Sequence, residues 1–129
     1  MNRVVHFEIQ ADEPARAMKF YTEVFGWEFQ KWMDNYWGVM TAEKESAEPG
    51  INGGLLQRPT KTPPHECGAN AYVCTVQVEN FDEIAGKIAA SGGVVAMPKF
   101  ALAGMAWQGY FLDTEGNTFG LHQSDENAK

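Results

Sequence analysis

The chain repeats itself at a spacing of 67 residues. At that offset His6 falls on Val73, Ala17 on Ile84 and Gly26 on Gly93. Gly-Leu-Leu-Gln at 54–57 returns as Gly-Leu-His-Gln at 120–123, an offset of 66. A chain of 129 residues has room for only two copies of such a unit. Each copy must therefore be one supersecondary module of about half the chain.

The local patterns give both copies the same element order. From Val4 to Gln10 the residues alternate, with Val5, Phe7 and Ile9 on one face and His6, Glu8 and Gln10 on the other. That is the period of a half-buried strand. Ala11-Asp12-Glu13-Pro14 reads as a helix start with an acidic cap and an early proline. Met18, Tyr21 and Phe25 recur at helical spacing, and Gly26 closes the helix. Residues 27–32 and 36–41 read as a hairpin around Met33-Asp34-Asn35, and 53–57 as a short strand after a charged loop. Pro59, Pro63 and Pro64 mark 58–70 as a linker. A strand over 72–79 follows, with Cys74, Val76 and Val78 facing one way and Val73, Thr75 and Gln77 the other. Asn80 caps a helix, with Glu83 as capping-box partner and Phe81, Ile84, Ala85 and Ile88 as its apolar stripe. Strands at 94–97, 107–112 and 118–123 complete the second copy, the last two joined by the turn Asp113–Asn117. The polar tail 124–129 is expected to fray. Two βαβββ modules result, 1–57 and 71–123, in an α+β chain.

Composition narrows the function. Seventeen acids against ten bases give a net charge of −7. Such a surface repels phosphate, which argues against nucleic acid and anionic membranes as partners. No window holds 18 consecutive apolar residues, so no membrane span is expected. Cys67 and Cys74 form neither a C-x-x-C pair nor a disulfide framework, and a reducing, cytoplasmic location is the expectation. Neither cysteine has a histidine beside it in sequence for a thiol nucleophile. Gly50 to Gly54 opens no helix and is no phosphate loop.

The stretch VVHFEIQADEPARAMKFYTEVFGWEF resembles the opening of glyoxalase/bleomycin-resistance/dioxygenase proteins, the vicinal oxygen chelate superfamily. YFLDTEGNTFGLHQ is similar to that family's closing turn and strand. The order H-x-x-I, F-Y-x-x-x-x-G-W, D-x-x-G-N-x-x-x-L carries the likeness. The resemblance implies that the modules curl their sheets into a half-open barrel around a cavity, with helices outside. Val5, Phe7, Ile9, Leu55, Cys74, Val76, Val78, Phe119 and Leu121 would meet the helices. His6, Glu8, Gln10, Thr75, Gln77, Thr118 and His122 would face the cavity.

Enzymes of that superfamily hold a divalent metal from four strand positions. In this sequence those positions are His6, Gly54, Val73 and Gly120. Only His6 has a donor, and one histidine does not make a site. No cofactor is therefore expected. A divalent metal would need a displaced set of His6, Glu8 and His122. Glu8 is the candidate for acid–base work, with His6 beside it to share the proton. Trp37 and Trp107 are expected as aromatic walls of the ligand site, and Phe100 to Trp107 as an apolar lid or a buried edge. The expectation is a glyoxalase-like, metal-independent protein, binder or enzyme, that takes a small molecule in the cavity between the modules and, as the resemblance implies, pairs as a homodimer. A metal-dependent lyase, isomerase or dioxygenase with the displaced site is one alternative. A drug-sequestering protein taking a cationic, planar ligand without catalysis is the other.

Overall fold

Both halves fold in the order their patterns dictate. The computed structural model describes residues 4–62 and 73–129, which divide into two units, 1–62 and 63–129. In the first unit β1 (Glu8–Ala11), α1 (Pro14–Phe25), β2 (Glu28–Met33), β3 (Tyr36–Met40) and β4 (Gly53–Gln57) follow one another. In the second, β5 (Thr75–Gln77), α2 (Phe81–Ala90), β6 (Val94–Leu102), β7 (Ala106–Leu112) and β8 (Thr118–Ser124) do the same. Each unit has one four-stranded sheet, ordered β1-β4-β3-β2 and β5-β8-β7-β6. The first strand runs parallel to the last and the other pairings are antiparallel. The registers Glu8↔Gly54 and Thr75↔Gly120 place the two copies in the same frame as the sequence offsets.

In the first unit α1 covers one sheet face. Ala17, Phe20, Tyr21 and Val24 of the helix are buried with Ile9, Ala11, Val39 and Leu55 of the strands. Pro14 sits in the first helical turn, where its missing N–H is no loss. Gly26 ends the helix at φ 72°, a left-handed value that glycine adopts without a Cβ penalty. In the second unit Asn80 Oδ1 accepts from Glu83 N at 3.1 Å and caps α2. Phe81 and Ile88 are buried with Phe111, Phe119 and Leu121. Glu83 turns to Lys87, 3.0 Å away, one helical turn on.

Four expectations are corrected. First, β1 begins at Glu8, and Val5 is 76% exposed instead of facing the helix. Cys74 is likewise exposed, ahead of the short β5. Alternation assigns the face of a residue only where the neighbouring strand extends to pair with it. Second, β6 runs on to Leu102, so Phe100 to Trp107 is a hairpin in ladder register with β7 and not a loop over a site. Third, the tail does not fray. Gly104 N donates to Ala128 O at 2.8 Å, Asp125 N to Met105 O at 2.8 Å and Trp107 Nε1 to Asp125 Oδ2 at 2.9 Å, while Ala128 is buried. Fourth, Arg58 at the head of the expected linker is tied down, with Nε 3.2 Å from Asp12 Oδ1 and its N–H donating to Ala11 O. The rest of that linker from 63, with His65 and Cys67, lies outside the described residues.

Candidate active face of the first unit

A strand sends successive side chains to opposite faces. With Ile9 and Leu55 under α1, their register partners fix the other, helix-free face. Glu8, Gln10, Tyr36, Gly38, Gly54 and Leu56 share it. A one-residue irregularity in β2 between Lys31 and Met33 turns Trp32 toward the same face. Trp32 stacks on Tyr36 with ring centroids 6.0 Å apart and lies over Gly38, where any Cβ would collide with the indole. Gly54 plays the same part for the phenol: a Cβ there would meet Tyr36 Oη. Two glycines thus let an aromatic pair lie flat against the sheet.

The phenol gathers the polar residues. His6 Nε2 lies 3.0 Å from Tyr36 Oη, and the Glu8 carboxylate is near enough to act on the same hydroxyl. Burial first, then the neighbouring Glu8 carboxylate and its charge, hold the Tyr36 phenol above its usual range. It therefore remains a proton donor where a free tyrosine would begin to ionise. His6 and Glu8 are exposed and Tyr36 half-buried, so the chain of three groups is open to solvent. Tyr36 was not among the sequence candidates. Its signal was the hairpin register, which alternation along β3 alone does not reveal.

In the second unit the corresponding face carries Thr75, Gln77, Gln108, Tyr110, Gly120 and His122. His122 Nδ1 donates to Gln108 Oε1 at 3.0 Å, a bond that holds a largely buried amide. Thr75 Oγ1 lies 2.7 Å from where a Gly120 Cβ would stand, with Gln108 Nε2 at 3.1 Å. Phe100 stacks on Tyr110 at 6.5 Å.

The structure sorts the sequence candidates by face. His6 and Glu8 meet through Tyr36, and Gln10 lies on their face. Thr75, Gln77 and His122 share the corresponding face of the other sheet. Trp37 does not join them: it pairs with Leu55 and turns to the helix side. Trp107 is also on the helix side, with Lys99 Nζ 4.7 Å from its ring centroid and Asp125 on its indole N–H. Both fell one residue from the polar face, and a strand converts one residue into the opposite side. A shallow groove of about 560 Å³ between α1 and β2, lined by Met18, Trp27 and Phe29 among others, contains none of the candidates.

Two of the four strand positions expected for a metal are glycines. Gly54 and Gly120 supply no donor, and the space a ligating side chain would need there is filled by Tyr36 and by Thr75. Among the described residues no three His, Cys, Asp or Glu side chains gather into a group that could hold a metal. No helix of the described residues is long and apolar enough to cross a membrane.

Comparison with known proteins agrees with this architecture. The family model of the Glyoxalase/Bleomycin resistance protein/Dioxygenase superfamily matches residues 3–121. The chain belongs to that superfamily. A curated relative, "Putative glyoxylase CFP32" of Mycobacterium bovis, is 27% identical over 93% of this chain, which spans 45% of that protein's length. Among solved structures, the fosfomycin resistance protein FosX of Listeria monocytogenes, complexed with Mn(II) and sulfate, matches with TM-score 0.73 at 16% identity, over 97% of this chain and 92% of its own. A glyoxalase-related enzyme of Fulvimarina pelagi matches with TM-score 0.70 at 15% identity, over 95% and 88%. At these identities the likeness is one of fold.

Proposed function

We propose that this chain binds a small molecule on the helix-free sheet face of its first unit and does so without the divalent metal of its superfamily. The grouping of His6, Tyr36 and Glu8 beside the Trp32–Tyr36 stack carries the reading. It joins an aromatic surface for a flat ligand to polar groups able to exchange a proton with it. The glycines at two of the four superfamily metal positions support the metal-independent half. The stack beside the Glu8 carboxylate favours, as a second reading, sequestration of a planar cation. The exposed apolar residues of the edge strand β6, Val94, Val95 and Met97, support a homodimer.

Native mass spectrometry of protein purified without chelator tests the proposal. The expected result is an organic adduct that is lost in Trp32→Ala and weakened in Glu8→Gln, without stoichiometric metal. Stoichiometric zinc, nickel, manganese or iron that disappears in His6→Ala would overturn it.

A further inference from the structure

Two rows of side chains cross the face of the second sheet that carries His122. Gln77, His122, Gln108 and Phe100 are register partners in one row, and Thr75, Gly120, Tyr110 and Met97 in the other. None of these residues is a carboxylate, a lysine or an arginine. Gln108 stands at the centre. It is only 6% exposed, and its Oε1 is taken by His122 Nδ1 at 3.0 Å. A carbonyl oxygen only accepts, so the histidine gives the hydrogen, and the amide nitrogen of Gln108 remains as a donor. Among the described residues that N–H2 group has no hydrogen-bond partner. A nearly buried amide with an open donor is less stable than one whose donor meets an acceptor.

Bare backbone at Gly120 decides what stands beside this donor. The place a Cβ would take there is 2.7 Å from Thr75 Oγ1, 3.1 Å from Gln108 Nε2 and 3.1 Å from Tyr110 Cε1. A hydroxyl, an amide N–H2 and the edge of a phenol ring therefore crowd together over one glycine. Tyr110 in turn stacks on Phe100, with centroids 6.5 Å and planes 26° apart, and both rings are half-buried. The open donor and the hydroxyl thus stand at the edge of a flat aromatic surface.

We propose that this face of the second unit is a binding site for a planar, uncharged cis-amide such as a lactam. The ligand C=O accepts from Gln108 Nε2, its N–H donates to Thr75 Oγ1, and its ring lies against the Phe100–Tyr110 stack. A cis-amide holds acceptor and donor side by side in the plane of its ring, which is what these two groups ask for. A carboxylate ligand would find no lysine or arginine on the two rows, and an organic cation no carboxylate. The site is additional to the one proposed for the first unit and fails separately from it. Signals of Gln108 report this face, whereas the adduct in the Trp32 and Glu8 variants reports the other.

2-Quinolone is the probe, a flat lactam with a free N–H. Titrated into nitrogen-15-labelled protein, it should move the Gln108 Nε2–H2 signals saturably, with one molecule bound per chain. N-methyl-2-quinolone keeps the ring and the carbonyl but has no N–H, and it should bind about 10-fold more weakly. Gln108→Glu keeps the size of the side chain and an oxygen for His122 but sets an acceptor against the ligand carbonyl. It should weaken 2-quinolone about 100-fold, and the isosteric Thr75→Val about 10-fold. Gln108 signals that stay still at millimolar 2-quinolone, equal affinity for the lactam and its N-methyl form, or an unchanged affinity in Gln108→Glu would each overturn the proposal. The first two measurements need no variant to fold.

Discussion

Gly54→Ala asks whether the phenol and the bare backbone beneath it are one device. Gly54 has no left-handed φ, so alanine carries no backbone penalty there. In an open strand position the change would be neutral, or stabilising by about 0.5 kcal/mol through the unfolded chain. Here the new methyl would collide with Tyr36 Oη, Cζ and Cε1. The phenol must swing away from His6 and Glu8 and off the Trp32 ring. Losing a part-exposed hydrogen bond costs about 1 kcal/mol, and losing the aromatic pair about the same. The expected destabilisation is therefore about 2 kcal/mol, a fall in Tm of roughly 6–8 °C for a chain of this size. In a Tyr36→Ala background the obstruction is gone, and Gly54→Ala should cost nothing. Chemical denaturation of the four proteins in this double-mutant cycle measures the coupling, expected at about 2 kcal/mol. If Gly54→Ala costs the same with and without Tyr36, the phenol does not lie over Gly54 and the assembly of the face is refuted.

Other outcomes follow from the packing. Leu55→Ala, at a fully buried position under α1, should cost about 2–5 kcal/mol in equilibrium unfolding. Asn80→Ala removes the α2 cap and should cost about 1 kcal/mol, whereas Asn80→Asp should be close to neutral in the same assay. Asp125 is held below its ordinary pKa of 3.8, first by the Asn127 backbone N–H and then by the Trp107 indole. Its contribution to seating the tail is thus complete above that value and lost as pH falls through the lowered one. Trp107 fluorescence in an acid titration should change only below the ordinary carboxylate range, and Asp125→Ala should show the released signal at neutral pH. Light scattering at tens of micromolar concentration should give twice the monomer mass, and Val95→Lys on the exposed edge strand should reduce it.

The repeat, the order of the elements and the helix-covered faces of β1, β4 and β8 were legible in the sequence. They depend on local quantities: the period of apolar residues, a cap at Asn80 and a left-handed glycine at Gly26. Ile9, Leu55, Phe119 and Leu121 fell under the helices as alternation requires. His6 and Glu8 were legible for the same reason, as polar residues on one side of one strand. What the pattern along a strand cannot carry is register across it. Trp37 and Trp107 went to the helix side because of their pairings with Leu55 and Gln123. Tyr36 reached His6 and Glu8 only because β3 lies beside β4, and β4 beside β1, with a glycine in between. The irregularity in β2 that turns Trp32 onto Tyr36 is likewise a property of two strands paired. The folding of the tail onto the β6–β7 turn needed the indole of Trp107 to find Asp125 from 18 residues away. Each of these is a contact between segments distant in the chain, made where tertiary packing brings their hydrogen-bonding groups and ring faces within reach.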